Sequence, residues 1–321
     1  MQSETAVKKE KEEQSMKLGC AIGCFSYPHY DPPYENAIRK IGELGFDGLE
    51  LIVANKEDMD QYYTADKVKE LRNIYQGYGM ELSEFVLYAN VVTGLMETDK
   101  KVKQETYDLF RRGVEIAAEL GTDKMNIVSN WPNEFSAATP YLPSHIHPYS
   151  TVPFSPKLKM DIPEKYDAKG AWDNYIESLR VLTGICEEHD MDFLVEGHAN
   201  VVVGTTDGFL RAADHIQSDH FGTNFDTAWQ LLQREYIPWS VYKLGDKIRH
   251  VHLRDGDGLL CYSYPPGMGI IDWHGFIKAL KDVGYDGFLS FELTGFEEGE
   301  KYIREAKEYM ERVLTEEGVR G

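Results

Sequence analysis

Residues 191–198 read MDFLVEGH, an apolar run that closes on the carboxylate of Glu196. Three later runs have the same form and bring Asp226, His252 and Glu292 to their ends: HFGTNFDTAW at 220–229, IRHVHLRD at 248–255 and DGFLSFELTG at 286–295. These four residues are spaced 30, 26 and 40 positions apart, roughly one strand and one helix each. They can converge if successive parallel strands close into a ring, because all such strands end at the same face. The pattern predicts a barrel with four polar groups at its mouth.

The rest of the chain alternates in the same way. Strand candidates occupy residues 17–25, 47–54, 80–88, 123–129, 191–197, 220–226, 248–254 and 286–293, with amphipathic stretches between them. The segment LGFDGLELI, from Leu44, is echoed by VGYDGFLSFEL, from Val283. Both predict a helix end, a glycine turn and a buried strand, as in repeated β/α units. We therefore expect an α/β fold, specifically a (β/α)8 TIM barrel.

One segment interrupts the alternation after the fourth strand. Residues 131–170 hold seven of the chain's thirteen prolines and many aromatic and histidine side chains. Long segments of this kind within a compact domain are usually functional. We interpret this one as an insertion that acts as a lid or docks a partner. Residues 1–16 are charged and almost free of large apolar residues, which predicts a mobile tail. The domain organisation expected is this tail followed by a single barrel domain over residues 17–321.

Composition excludes several classes of partner. The formal net charge is −20, so approach to nucleic acid or to an anionic membrane surface would be opposed by repulsion. No apolar run approaches the roughly 20 residues that span a bilayer, and the N-terminal segment lacks the apolar core of a secretory signal. The four cysteines show no metal-type pairing. These features predict a cytoplasmic protein with reduced thiols.

The four strand-end residues have the chemistry of a metal site. Three carboxylates and one imidazole, from Glu196, Asp226, Glu292 and His252, form an oxygen-rich mixed ligand set. Such a set suits Mn²⁺ best, with Co²⁺, Mg²⁺ or Zn²⁺ as alternatives. Each residue taken alone also has a structural interpretation, since a strand-end Asp often caps a helix and a lone His often packs. Four of them in consecutive units favour one divalent ion.

These motifs resemble a known family. The segments V-E-G-H, N-F-D-T, H-V-H-L-R-D and F-E-L, with G-x-G-I-I-D-W at residues 267–273, are similar to the metal-dependent sugar phosphate isomerase/epimerase superfamily with the xylose isomerase-like barrel. The resemblance implies that Glu196, Asp226, His252 and Glu292 ligate the metal. It also implies that Glu196 and Glu292 are catalytic, moving protons on opposite faces of a keto-sugar.

Two departures from that pattern point to a narrower resemblance. Ketose 3-epimerases of the superfamily usually have a His three residues after the metal-binding Asp and an Arg six residues after the metal-binding His. This chain has Trp229 and Gly258 there. With the long insertion, it resembles the catalytic α subunits of bacterial C-glycoside deglycosidases. That resemblance implies a carbon–carbon lyase that releases the aglycone of a 3-oxo-C-glycoside. It further implies a small β-sandwich β subunit in a hetero-oligomer, and an insertion histidine as acid/base: His145, or else His147.

Four further residues are candidates for contacting substrate. His198 and Arg254 each lie two positions past a predicted ligand, so they would share its side of an extended strand. Trp131 and Trp229 would offer an aromatic surface. Each has a plainer alternative: His198 in a strand-end hydrogen bond and Arg254 in an ion pair with a site carboxylate. We also expect Glu50, Asn126 and His250 to face the barrel interior, in a functional or a packing role.

The sequence leaves competing functions open. An isomerase or 3-epimerase of a keto-sugar is the nearest alternative to the lyase, and no glycine-rich phosphate cradle favours a phosphorylated substrate. A DNA-repair endonuclease of the same barrel would need more His and Asp ligands and a basic track, which the charge of −20 opposes. A non-catalytic regulatory barrel would not need the complete ligand set.

Overall fold

A computed structural model describes residues 15–26, 30–88, 91–132, 136–137, 160–259, 263–294 and 298–320. Its centre is a closed barrel of eight parallel strands. The strands are β1 (Lys17–Ala21), β2 (Gly48–Val53), β3 (Glu81–Leu87), β4 (Lys124–Val128), β7 (Asp192–Glu196), β8 (Phe221–Asp226), β9 (Ile248–Leu253) and β10 (Phe288–Phe291). Each pairs with the next in chain order, and β10 returns to β1 to close the ring. The predicted TIM barrel is confirmed, with all eight expected strands present.

The helices surround this ring. They are α1 (Gly23–Ser26), α2 (Glu35–Glu43), α3 (Asp58–Gln61), α4 (Ala65–Gly77), α5 (Lys100–Leu120), α6 (Ala168–Glu187), α7 (Thr206–Ile216), α8 (Thr227–Leu232), α9 (Ile237–Leu244), α10 (Trp273–Asp282) and α11 (Gly299–Glu316). Two 3₁₀ turns span Thr93–Met96 and Gly245–Lys247. Among the described residues, no helix has both the length and the apolar character needed to cross a membrane.

The long helix α5 shows how the local sequence specifies these elements. Asp99 precedes it and accepts backbone hydrogen bonds from Lys101 and Val102, so the first turn is capped. Gly121 ends it at φ +94°, a left-handed conformation that favours glycine. Between the caps, one face is buried against the barrel, and the ring of Phe110 meets Phe193 of β7 at 5.3 Å. Burial of such a face provides most of the helix's stability.

The repeated glycine turns lie at the amino-terminal face of the barrel. Gly45, after α2, has φ +71°, and Gly284, after α10, has φ +85°. Each is followed within four residues by the start of a strand, β2 or β10. The two echoed segments therefore form equivalent helix-to-strand connections, as predicted.

Within the expected insertion at residues 131–170, the described secondary structure is a short antiparallel pair, β5 (Ser136–Ala137) with β6 (Met160–Asp161), and the start of α6. The predicted acid/base His145 and its alternative His147 lie outside the described residues, as do most of the expected tail and insertion. Three cysteines fall within the described chain, Cys20, Cys24 and Cys186, and all three are free thiols.

Candidate active site

Four adjacent strands bring the predicted ligands together. Glu196 is the last residue of β7, Asp226 the last of β8, and His252 lies one position before the end of β9. Glu292 follows directly after β10. In the pairing of β8 with β9, Asp226 stands opposite His252, so their side chains emerge at the same height. The closed ring therefore places all four at one mouth, as the sequence pattern predicts.

Their distances meet the requirement for one shared cation. One ligand atom from each residue lies within 4.8 Å of those of the other three. The Nδ1 atom of His252 is 3.6 Å from Glu196 Oε1, 3.7 Å from Asp226 Oδ2 and 3.4 Å from Glu292 Oε2. Glu196, Asp226 and His252 are buried, whereas the Glu292 side chain is 25% exposed. The cluster could hold a divalent metal ion, with Glu292 on its open side.

Asp226 has a separate oxygen for each of the two roles considered for it, helix cap and metal ligand. Its Oδ1 atom accepts hydrogen bonds from the backbone N–H groups of Ala228 at 2.8 Å and Trp229 at 2.9 Å, which caps α8. Its Oδ2 atom faces His252 and forms an ion pair with Arg254. The structural and functional interpretations of this residue are therefore compatible, because each uses a different oxygen.

Electrostatic coupling within the cluster is strong. Burial alone would raise the pKa of Glu196, but the nearby His252 and His198 outweigh it and hold the pKa well below its usual range. Burial opposes the charged form of Asp226 too, and Arg254 lowers its pKa nonetheless. For His252, burial favours the neutral ring, yet the carboxylates of Glu50, Glu196 and Glu292 raise its pKa well above normal. Three anions at this mouth thus attract positive charge, which is the condition for cation binding.

The donor set also fits such a cation chemically. Carboxylate oxygens and one imidazole nitrogen suit Mn²⁺, Mg²⁺, Co²⁺ or Zn²⁺. With a dication and Arg254, the three carboxylates would reach electrical neutrality. Arg254 lies with one amino group on Asp226 Oδ2 and 3.1 Å from Glu292 Oε2. The ion-pair interpretation of Arg254 is therefore what the structure shows.

The rings of His198, Trp229 and Trp131 pack against one another beside Glu196. His198 Nε2 is 2.9 Å from Glu196 Oε1, and its ring stacks on Trp229 at a centroid distance of 4.3 Å. Trp131 meets the other side of His198 edge-on at 6.3 Å, and Arg254 lies over Trp229 at 5.5 Å. The four predicted substrate-contacting residues are thus neighbours. Trp229 is 2% exposed and lines the cavity described below, with its ring supporting His198 and Arg254.

A cavity of about 100 Å³ borders the cluster. Its polar side is formed by Glu50, Glu196, His198, His252, Arg254 and Glu292. Its other side is largely apolar and aromatic, and comprises Ile22, Ile52, Val86, Val128, Tyr30 and Tyr88. A few polar groups on a mainly apolar lining are typical of a small-molecule site.

Beneath the mouth lies a second buried polar layer. Glu50 of β2 binds His250 Nε2 through Oε1 at 2.8 Å and His252 Nε2 through Oε2 at 3.1 Å. Glu84 of β3 is 3.4 Å from the same nitrogen of His252. Burial raises the pKa of Glu84, whereas in Glu50 the two histidines overcome burial and lower the pKa. The sequence placed Glu50 and His250 inside the barrel but did not reveal that both meet His252.

Asp255, two residues after the end of β9, is a buried carboxylate that links several backbone segments. Its carboxylate accepts hydrogen bonds from the backbone of Gly256, Gly267 and Ile271 and from Trp273 Nε1, at 2.8–3.2 Å. It therefore ties the G-x-G-I-I-D-W segment to the end of β9. The signal was an Asp followed by glycines, which alone indicates only a turn.

Comparisons with known proteins agree with this architecture. The chain is 25% identical to fructoselysine 3-epimerase of Shigella flexneri over 302 residues, which cover 92% of this chain and 98% of that enzyme. The solved structure of D-psicose 3-epimerase from Clostridium cellulolyticum H10 superposes with a TM-score of 0.73 at 19% identity, covering 93% of this chain and 99% of that one. The solved structure of 3-keto-D-glucoside 4-epimerase from E. coli superposes with a TM-score of 0.68 at 18% identity, covering 92% of this chain and 99% of that one.

The family assignment rests on a sequence-profile match. The sequence profile described as xylose isomerase-like TIM barrel aligns with residues 38–313. That range includes seven of the eight barrel strands and all four residues of the candidate metal cluster. The chain therefore belongs to the xylose isomerase-like TIM barrel family.

Proposed function

We propose that the protein is a divalent-cation-dependent epimerase or isomerase of an unphosphorylated keto-sugar. The observation that carries the proposal is the cluster of Glu196, Asp226, His252 and Glu292, whose ligand atoms lie within 4.8 Å of one another beside a cavity. The relatives support it, since they are epimerases of fructoselysine, of D-psicose and of a 3-keto-D-glucoside. A bound dication would polarise the substrate ketone and stabilise the negative charge that develops beside it.

The side chains of this chain would move the proton. Glu196 and Glu292 are the two carboxylates of the metal cluster that line the cavity, and Glu196 is the more buried of them, at 4% side-chain exposure against 25%. We propose that one removes the proton from the carbon next to the ketone and that the other returns a proton to the opposite face. His198, 2.9 Å from Glu196 Oε1, would orient that carboxylate. Positioned bases of this kind contribute about 10²–10⁴-fold to rate.

The charge of the lining supports an unphosphorylated substrate. Among the described residues that line the cavity, Arg254 is the only Lys or Arg. It is already engaged by Asp226 and Glu292. A phosphate group would therefore meet three carboxylates and no uncommitted basic side chain in this part of the wall. An uncharged sugar avoids that repulsion.

Carbon–carbon cleavage of a 3-oxo-C-glycoside is the competing outcome. It begins with the same proton abstraction, and the apolar side of the cavity would suit an aglycone. The resemblance to C-glycoside deglycosidases implies that cleavage would additionally use His145 or His147 as acid/base, together with a β-sandwich partner subunit. The relatives reported above are named as epimerases, which favours epimerisation over cleavage.

Incubation in D₂O distinguishes these reactions. The purified protein is first treated with EDTA to remove metal and is then reloaded with Mn²⁺, Co²⁺, Mg²⁺ or Zn²⁺. Each preparation is incubated with one of five substrates: a free ketose, a 1-substituted ketosamine, a 3-oxo-O-glycoside, a 3-oxo-C-glycoside or a ketose phosphate. We expect Mn²⁺ to give the highest rate and an unphosphorylated keto-sugar to return as a deuterated epimer or isomer. Glu292→Gln should retain the fold and lose at least 10³-fold in turnover. Release of an aglycone would favour the lyase, and full activity of the metal-free protein would overturn the proposal.

A further inference from the structure

The two ring nitrogens of His252 face different surroundings. Nδ1 points to the three carboxylates of the mouth, at 3.4–3.7 Å. Nε2 points down into the barrel, where Glu50 Oε2 lies 3.1 Å away. A neutral imidazole carries one proton, so only one nitrogen has a lone pair for a cation. Whichever group holds the proton on Nε2 therefore decides whether Nδ1 can act as a ligand.

We propose that Glu50 is a positioning residue that keeps the proton of His252 on Nε2 and so reserves Nδ1 for the cation. This inference rests on the cation site of the proposed function. A carboxylate only accepts hydrogen bonds, so Nε2 must be the donor in the 3.1 Å contact. Histidines that bind metal commonly donate their other N–H group to a carboxylate, which sets the tautomer and the ring orientation.

Glu50 is itself held in place. Its second oxygen, Oε1, lies 2.8 Å from Nε2 of His250, so one carboxylate joins two imidazoles on β9. The residue is 3% exposed and lies within β2, whose backbone pairs with both β1 and β3. Its position is therefore set by the strand and by His250. A rigid acceptor of this kind fixes the ring of His252 more firmly than a water molecule would.

Asn224 competes for the same nitrogen. Its Nδ2 atom is 3.0 Å from His252 Nε2 and 3.4 Å from Nδ1, and it would donate to Nε2 if that nitrogen carried no proton. The proton would then lie on Nδ1 and would block the cation. The Glu50 contact is charge-assisted and about twice as strong as one between neutral partners, so it favours the proton on Nε2. The balance between Glu50 and Asn224 is what a substitution can change.

Glu84 provides a matched control. It lies in the same layer, is also fully buried, and its Oε1 atom is 3.4 Å from the same His252 nitrogen. That oxygen accepts hydrogen bonds from the amides of Asn126 at 3.2 Å and Asn224 at 3.1 Å, so it is committed elsewhere. Glu84→Gln therefore repeats the chemical change of Glu50→Gln at a similar depth without removing the acceptor of His252.

The test measures Mn²⁺ affinity of full-length protein by calorimetry, with circular dichroism to verify folding. Glu50→Gln keeps the shape, but its amide offers one acceptor and one donor to two imidazole N–H groups. We expect it to bind Mn²⁺ 10–100-fold more weakly than wild type, the range found for such supporting carboxylates. Glu84→Gln should stay within about threefold of wild type. Equal affinity of Glu50→Gln and wild type would overturn the inference. A wild type that binds no cation would instead refute the proposed function.

A second measurement needs no folded variant at position 50. Wild-type protein labelled with ¹⁵N and loaded with a diamagnetic cation, Mg²⁺ or Zn²⁺, gives ring nitrogen shifts for its histidines. His252 is assigned by the loss of its signals in His252→Gln. We expect a protonated Nε2 and an unprotonated Nδ1. A proton on Nδ1 would refute the assigned tautomer. Two cations bound per chain, with one of them between Glu50, Glu84 and His250, would refute it as well.

Discussion

Arg254→Met is expected to lower the stability of the cation-free protein and to raise its affinity for a divalent cation. Arg254 is 5% exposed on its side chain and pairs with Asp226 and Glu292, two of the four predicted ligands. Without a cation, its removal leaves buried carboxylates with less positive charge nearby. Loss of one partner from a buried ion pair typically destabilises by about 3–5 kcal/mol. Methionine fills the space over Trp229 without charge, so packing is largely conserved.

With a cation bound, the same substitution should matter less. The dication then compensates the carboxylates, and the remaining loss is that of a charged hydrogen bond, about 1.5–3 kcal/mol. By linkage, the difference of about 2 kcal/mol appears as tighter binding, close to 30-fold. The substitution therefore lowers stability and raises cation affinity at the same time.

Urea unfolding with EDTA and with saturating Mn²⁺ measures both effects, and calorimetry gives the affinity directly. Arg254→Lys retains the charge and serves as one control. Arg320→Met removes a partly exposed pair with Asp47, and should cost no more than about 1 kcal/mol regardless of cation. If Arg254→Met lost the same stability with and without Mn²⁺, the reasoning that places Arg254 and the cation against the same carboxylates would fail.

Three further outcomes are expected. Gly197→Ala should reduce turnover and lower the thermal unfolding midpoint, because the new Cβ would lie 2.3 Å from the carbonyl oxygen of Gly204. This clash would shift position 197, which directly follows Glu196. An unchanged midpoint and rate would contradict the prediction. Asp255→Asn should destabilise by about 2–4 kcal/mol in urea unfolding, since an amide cannot replace both acceptors of the buried carboxylate, and near-neutral stability would refute that role. Finally, the surrounding carboxylates raise the pKa of His252 in the cation-free protein, so a cation would compete with a proton for this ring and its binding should strengthen as pH rises. Calorimetry at several pH values measures the affinity, and an affinity that does not change with pH would contradict this competition.

The fold could be predicted from local patterns because each β/α unit repeats the same short-range signals. Apolar runs of strand length, amphipathic stretches and glycine turns at Gly45 and Gly284 each reflect forces that act within a few residues. The four strand-end residues could be predicted for the same reason, since in a closed parallel ring every strand ends at one face. These features need no knowledge of which strands lie opposite each other across the barrel.

The sequence could not settle how the polar residues share their contacts. Arg254 had two interpretations, substrate contact or ion pair, and the structure shows it paired with Asp226 and Glu292. Trp229 was expected to offer an aromatic surface, and the structure places it among the residues that line the cavity, with its ring stacked on His198. Both outcomes depend on side-chain directions at the ends of β8 and β9, which spacing along the chain does not specify.

The amino-acid order alone determined a barrel with three carboxylates and an imidazole at its mouth, because strand periodicity and unit length are local properties. Only the tertiary structure revealed that Glu50, about 200 positions before His250 and His252, binds both of them across the barrel interior. Closure of the ring brings β2 and β9 to face each other, and such a contact depends on the curvature of the whole sheet rather than on any short stretch of it.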